Sequence, residues 1–198
     1  MTSVALRHLE RPAAGEAVGA LVFFHGYFGI PEDFLAFVDK IDPDRRFHGY
    51  LPEAPLHVRD GRWSWFDWEA PEEQITLVAD WLDSLGVVPA WTVLGGWSQG
   101  GVMAYALALA PGRPPPSGLL ALGAQLPIGP PLRLEPPFPA IAIGHGTADD
   151  AVAIDHARSA RDALRAAGAD VLYLETRIGH QIDQEIVPDL RAFLAQLP

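Results

Sequence analysis

Short runs that are apolar at nearly every position alternate along this chain with longer stretches whose apolar residues recur every three to four positions. The first run, "VGALVFFHG" (18–26), ends in glycine; similar runs follow at 91–96 ("WTVLGG"), 117–124 ("SGLLALGA"), 139–146 ("PAIAIGHG") and 169–177 ("ADVLYLETR"). "RFHGYLP" (46–52) reads as a further strand. Between them the period is helical. "PEDFLAFVDKI" (31–41) opens on proline and two acids, the usual composition of a first turn. In "PEEQITLVADWLDSLG" (71–86), Ile75, Val78, Ala79 and Leu82 form one stripe and Gly86 ends the helix. "QGGVMAYALALAPG" (99–112) is apolar almost all round, "AVAIDHARSARDALRAAG" (151–168) stops at Gly168, and "DQEIVPDLRAFLAQL" (183–197) is a last helix expected to bend near Pro188.

Strands that are apolar throughout, separated by helices, imply a mostly parallel sheet covered on both faces, in one α/β domain over residues 1–198. Two stretches fit neither period. "AQLPIGPPLRLEPPFP" (124–139) is a long loop within the domain, and "PEAPLHVRDGRWSWFDWEAP" (52–71) is irregular and carries Trp63, Trp65 and Trp68 of the six tryptophans. Loops of this length are usually functional or disordered.

Composition narrows the chemistry. The 198 residues are 49% hydrophobic, enough for a substantial core. The net charge of −11 argues against nucleic acid and against an anionic membrane surface. With no cysteine there is no disulfide, thiolate metal site or cysteine nucleophile. No apolar run reaches the length that spans a bilayer, and "MTSVALRHLE" lacks a basic patch followed by an apolar stretch, so a cytoplasmic location is expected. No two histidines flank a carboxylate at helical spacing, and neither metal nor cofactor is expected.

The reactive candidate lies in "LGGWSQGG" (94–101), where Gly96-Trp97-Ser98-Gln99-Gly100 fits G-x-S-x-G between a strand and a helix. A serine at such a turn must hold an unusual backbone conformation, and the glycines let strand and helix approach. The helix start offers free N–H groups to an oxyanion. A serine hydroxyl needs a base, normally a histidine oriented by a carboxylate, in the order Ser, acid, His. Of the three histidines after Ser98, His156 falls inside a helix and His145 precedes any acid in the next turn. His180 follows the last strand, at the sheet edge where Ser98 lies. Asp149 and Asp150 both follow the strand at 139–146; Asp149 is nearer the strand end and Asp150 is placed to cap the next helix, so both remain candidates. "FFHGYFG" ends the first strand, and the backbone N–H groups of Tyr27 and Gln99 are the natural oxyanion pair.

Four segments together resemble the phospholipase/carboxylesterase group of the α/β-hydrolase superfamily, which includes the acyl-protein thioesterases. "FFHGYFG" is similar to its HG-x-G turn, "APLHVRDGRWSWFDW" to its Ala-Pro segment followed by Ser-Trp-Phe-Asp, "LGGWSQGG" to its nucleophile stretch, and "GHGTADDAV" with "GHQI" to its HG-x-x-D-x-x-V and final Gly-His. They run in order from about residue 21 to 182. The resemblance implies Ser98 as nucleophile, Asp149 as acid (Val152 takes the later valine), His180 as base, and Tyr27 and Gln99 as oxyanion donors. It implies a small-molecule ester substrate, and a monomer or homodimer. No segment between Ser98 and Asp149 is long enough for a lid domain. Trp97 stands where the group usually has Phe, and Tyr27 is also bulky, which implies a shortened acyl channel. Phe28, Trp65, Trp97 and Leu126 are the expected pocket lining. The expected activity is hydrolysis of short- to medium-chain carboxylic esters. Its alternatives are thioesterase or lysophospholipase action on long chains, and a non-catalytic binding module on the same fold.

Overall fold

The structure, a computed structural model, describes residues 6–67 and 71–198. The first five residues of the amino-terminal stretch, and Trp68 of the tryptophan-rich segment, lie outside the described residues. In chain order the elements are β1 (His8–Arg11), β2 (Gly19–Phe24), α1 (Glu32–Ile41), β3 (Phe47–Pro52), β4 (Leu56–Arg59), β5 (Arg62–Ser64), α2 (Glu72–Ser84), β6 (Thr92–Trp97), α3 (Gln99–Ala108), β7 (Gly118–Leu122), β8 (Ala140–Gly146), α4 (Ile154–Ala166), β9 (Val171–Thr176) and α5 (Val187–Ala195). Seven strands form one sheet in the order β1-β3-β2-β6-β7-β8-β9; all neighbours are parallel except β1, which runs antiparallel to β3.

The apolar runs follow from burial on both faces. In β2, Leu21 and Phe23 point to one side, where Phe37, Val38 and Ile41 of α1 and Leu190, Phe193 and Leu194 of α5 pack. Val22 and Phe24 point to the other side, toward Trp81 of α2, Met103 and Tyr105 of α3, and Ala160 and Leu164 of α4. β6 and β7 alternate the same way, with Val93 and Leu120 on one face and Leu94 and Leu119 on the other. All ten residues of α3 are buried, which explains a helix with no polar face. Each fully buried Leu or Phe contributes about 1.5–3 kcal/mol relative to exposure, so the two layers supply most of the driving force. Among the described residues no helix is long and apolar enough to cross a membrane.

Register places the site. Phe24 pairs with Gly96, Trp97 with Leu122, Leu122 with Gly144, and Gly146 with Thr176. The carboxyl ends of β2, β6, β7, β8 and β9 therefore finish side by side, and the turns that follow them rise from one edge.

Three features depart from the sequence pattern. β1 is absent from the apolar reading because "HLER" is an edge strand held by charge: Arg11 is 2% exposed, and its guanidinium donates to Asp39 (2.7 Å) and to Asp42 (2.9 Å) at the end of α1. The segment 52–71 is not wholly irregular, since β4 and β5 form an antiparallel hairpin. Its tip, Asp60-Gly61, has φ of 53° and 66°, as a two-residue type I′ turn requires. The last helix does not bend at Pro188. A 3-10 turn at Gln184–Ile186 precedes α5, and Pro188 sits in its first turn, where its missing N–H costs nothing.

Candidate active site

Ser98 connects β6 to α3 at φ 55° and ψ −122°, a conformation that non-glycine residues rarely adopt. It is held on both sides: its N–H donates to Leu122 O (2.8 Å), and its carbonyl accepts from Val102 N (3.1 Å). The flanking glycines are required by close approach. A Cβ on Gly96 would lie 2.2 Å from Gly100 O, and one on Gly100 would lie 2.1 Å from Phe24 O. The strand and helix can meet at this bend only if neither carries a side chain.

Asp149 lies in the turn after β8, and His180 in the turn after β9. Ala148 N donates to Ile178 O (3.0 Å) and Thr147 N to Thr176 O (2.8 Å), which ties the two turns together. His180 Nδ1–H then donates to Asp149 Oδ2 (2.7 Å), and the Ser98 hydroxyl faces His180 Nε2 at 2.9 Å. The side chain of Asp149 is 1% exposed. Burial alone would raise its carboxyl, but the N–H groups of Val152, His180 and Ala151 all donate to it and hold it below the usual carboxylate range. A carboxylate kept ionised in this way fixes the imidazole tautomer that leaves Nε2 free to accept from the serine. Asp150, the other candidate acid, is exposed.

His145 is buried, 4% exposed. Its Nε2–H donates to Val152 O (2.8 Å) and lies 3.3 Å from Asp149 Oδ2, so it buttresses the Asp149 turn. His156 is exposed on α4. His25 is also structural: its Nδ1–H donates to Gly26 O (2.7 Å) while Nε2 accepts from Ala54 N (3.1 Å). Burial pushes its pKa down to about 4, so the ring is neutral at neutral pH.

The proposed oxyanion donors come from two turns, the one after β2 and the one that opens α3. Gln99 is the first residue of α3, and a first-turn N–H has no carbonyl partner within its own helix. The Gln99 side chain is buried and fully engaged: Oε1 accepts from Trp65 N (2.8 Å), and Nε2 donates to Phe66 O (2.9 Å) and Ser64 Oγ (3.1 Å). Nothing in the sequence pattern marked this amide as the anchor of the 64–66 segment. Tyr27 is 55% exposed, and its turn is fixed by Phe28 N donating to Trp63 O (2.9 Å), a contact that depends on the β4–β5 hairpin.

Of the four residues expected to line a pocket, Trp65 does not. It is 0% exposed, edge-on to Phe24, with its indole N–H donated to His25 O (2.6 Å); the acceptor for that N–H lies in the core, and the ring follows it. Phe28 is part-exposed beneath the Arg59 guanidinium (5.4 Å), and Leu126 packs against the core on the α3 side. Trp97 does border an open space. With Phe34, Phe37, His180 and Ile182 it lines a groove of about 270 Å³ beside the histidine. A smaller cavity of about 150 Å³ lies one turn along α3 from Ser98, between Phe66, Pro71, Ile75, Val102, Pro127 and Ile128. Two further cavities, of about 250 and 590 Å³, border the starts of β6, β8 and β9 and share none of these residues.

Comparison with known proteins agrees with this fold. The family model described as Phospholipase/Carboxylesterase matches residues 11–197. The solved structure of esterase PE8 is 26% identical, covers 98% of this chain and 99% of its own, and superposes with a TM-score of 0.82. The Bacillus cereus carboxylesterase is 17% identical over 98% of this chain and 95% of its own (TM-score 0.84). Zea mays acyl-protein thioesterase 2 is 20% identical over 96% and 98% (TM-score 0.75). At these lower identities the last two speak for the fold. A family model that spans nearly every described element, from residue 11 to 197, leaves one assignment: the chain belongs to the phospholipase/carboxylesterase family of α/β hydrolases and is a serine ester hydrolase.

Proposed function

We propose that the protein hydrolyses short- to medium-chain carboxylic esters by way of an acyl-enzyme on Ser98. The observation that carries the reading is the unbroken chain from Ser98 Oγ to His180 Nε2 (2.9 Å) and from His180 Nδ1 to Asp149 Oδ2 (2.7 Å). His180 takes the hydroxyl proton as Ser98 Oγ attacks the ester carbonyl, and Asp149 stabilises the imidazolium that forms. The N–H groups of Tyr27 and Gln99 receive the oxyanion. His180 then gives its proton to the departing alcohol oxygen as the carbon–oxygen bond breaks. Water, activated by the same imidazole, releases the acid and restores Ser98.

The cavity one turn along α3 from Ser98 supports the limit on chain length. A cavity near 150 Å³ accommodates about one benzene-sized group, below the ~300–1,000 Å³ of sites that enclose larger ligands. Trp65, whose burial closes the core behind it, adds no channel. On p-nitrophenyl esters from acetate to palmitate, kcat/KM is expected to peak at or below about eight carbons. Ser98→Ala is expected to lower kcat about 10⁴–10⁶-fold with the fold retained by circular dichroism. A rate that climbs through palmitate would replace this reading with long-chain hydrolysis, and full activity in Ser98→Ala would remove the serine mechanism.

A further inference from the structure

The Phe34–Trp97–His180 groove has a chemistry of its own. Trp97 lies with its ring centroid 4.7 Å from that of His180 and 5.7 Å from that of Phe34, and Phe34 in turn lies tilted against Phe23 at 5.4 Å. The result is an aromatic strip that ends at the imidazole, with Phe37 and Ile182 beside it. Room for the indole comes from Gly26, where a Cβ would fall 2.5 Å from Trp97 Cε3. Two of the polar groups at the rim are paired, Asp33 with Arg62 and Gln184 Oε1 with Lys40 Nζ (2.7 Å), and Gln181 lies beside them. Between these polar groups the groove surface is Phe34, Phe37, Trp97 and Ile182.

Position assigns an occupant, given the ester-hydrolase mechanism above, on which this step rests. The carbonyl carbon bonded to Ser98 carries three other groups. Its oxyanion must point at Tyr27 and Gln99 N–H. Its leaving oxygen must come within about 2.6–3.2 Å of His180 Nε2 to receive the proton. The alcohol attached to that oxygen therefore extends along the face on which His180 lies, which is the wall of this groove. The acyl group takes the remaining direction, away from His180.

We propose that the groove binds the alcohol half of the substrate, and that the natural ester carries a bulky apolar alcohol, aromatic in preference to a phosphate-bearing headgroup. A phosphodiester here would meet the Asp33 carboxylate, while the neighbouring cations Arg62 and Lys40 already have partners. A flat hydrocarbon would stack on Trp97 and Phe34. During turnover the proton on His180 Nε2 passes to the alcohol oxygen as its bond to the carbonyl carbon breaks; the alcohol leaves neutral and the acyl group stays on Ser98.

The test holds the acyl group at butyrate and varies alcohols of similar acidity: ethyl, 2-cyclohexylethyl and 2-phenylethyl. From ethyl to 2-phenylethyl, kcat/KM is expected to rise about tenfold or more, carried by KM and the acylation rate. Phe34→Ala and Ile182→Ala, with Phe34→Leu as the milder change should the first fold poorly, are expected to flatten that rise to about threefold or less while the acyl-length profile of ethyl esters keeps its maximum. As a second readout, added 2-phenylethanol is expected to divert the acyl-enzyme to ester product more than ethanol does. A flat alcohol series in a protein whose Ser98 still labels with a fluorophosphonate would overturn the groove assignment alone. A change of acyl profile with an unchanged alcohol series in the variants would overturn it in favour of acyl binding. Absence of both labelling and hydrolysis would fall on the esterase reading itself.

Discussion

Ser98 carries its strain because the turn needs it, and that strain is measurable. A non-glycine residue at φ 55° and ψ −122° costs about 1–3 kcal/mol, which the sheet and α3 sustain. Ser98→Ala keeps the strain, whereas Ser98→Gly relieves it at a smaller entropic cost in the unfolded chain. In urea denaturation the glycine variant is expected to be about 1 kcal/mol more stable than the alanine variant. His25 gives a second residue-scale expectation. Its folded pKa is depressed, from 6.5 to about 4, so between these values the unfolded chain binds the proton that the folded chain refuses. The stability from its neutral ring is complete above pH 6.5 and is lost as pH falls toward 4, a change of about 3 kcal/mol. Unfolding near pH 5 is expected to take up about one proton through this ring, and His25→Gln should remove that uptake.

At the scale of elements, the helices and central strands announce themselves because two faces of apolar packing demand apolar residues at every strand position. β1 and the β4–β5 hairpin have no such demand. β1 is held by Arg11, whose charge is matched by Asp39 and Asp42, and Asp42 also accepts the N–H groups of Arg46 (3.0 Å) and Phe47 (3.2 Å) at the entry to β3. Arg11→Met would leave the Asp42 carboxylate buried without its counter-ion, and a loss of about 3–5 kcal/mol is expected in the same denaturation assay. The hairpin had a local signal, Asp60-Gly61, but the flanking tryptophans obscured the alternation that would have completed it. Trp65 was misplaced for a related reason. Aromatic residues near a nucleophile suit a pocket and a core equally, and only the acceptor for the indole N–H, His25 O, decides between them.

Across the whole molecule, function depends on which turns share an edge. Parallel order brings the loops after β2, β6, β8 and β9 together, and the long 124–139 loop folds back on α3, where Arg133 N donates to Leu109 O (2.7 Å). That docking sets Pro127 and Ile128 against Phe66, Ile75 and Val102 and so bounds the smaller cavity. Ile128 is 77% exposed, so enlarging it should not disturb the core. Ile128→Trp is expected to move the acyl-length optimum to shorter esters and leave the alcohol preference intact, as read from the two substrate series.

The glycine-flanked turn at Ser98 and the parallel two-faced sheet are legible in the sequence because each is a local requirement, whereas the candidate Asp149 and His180 were legible only through the chain order that the motif carries. A bend needs its glycines, and a buried strand needs apolar residues on both faces. The pairing of β1 through Arg11, the buried amide of Gln99 that anchors Trp65, the neutral state of His25 and the opening of a groove on the Trp97 side were decided by tertiary structure alone. Each depends on atoms from segments far apart in the chain, and hydrogen-bond partners and unfilled space exist only once those segments have packed.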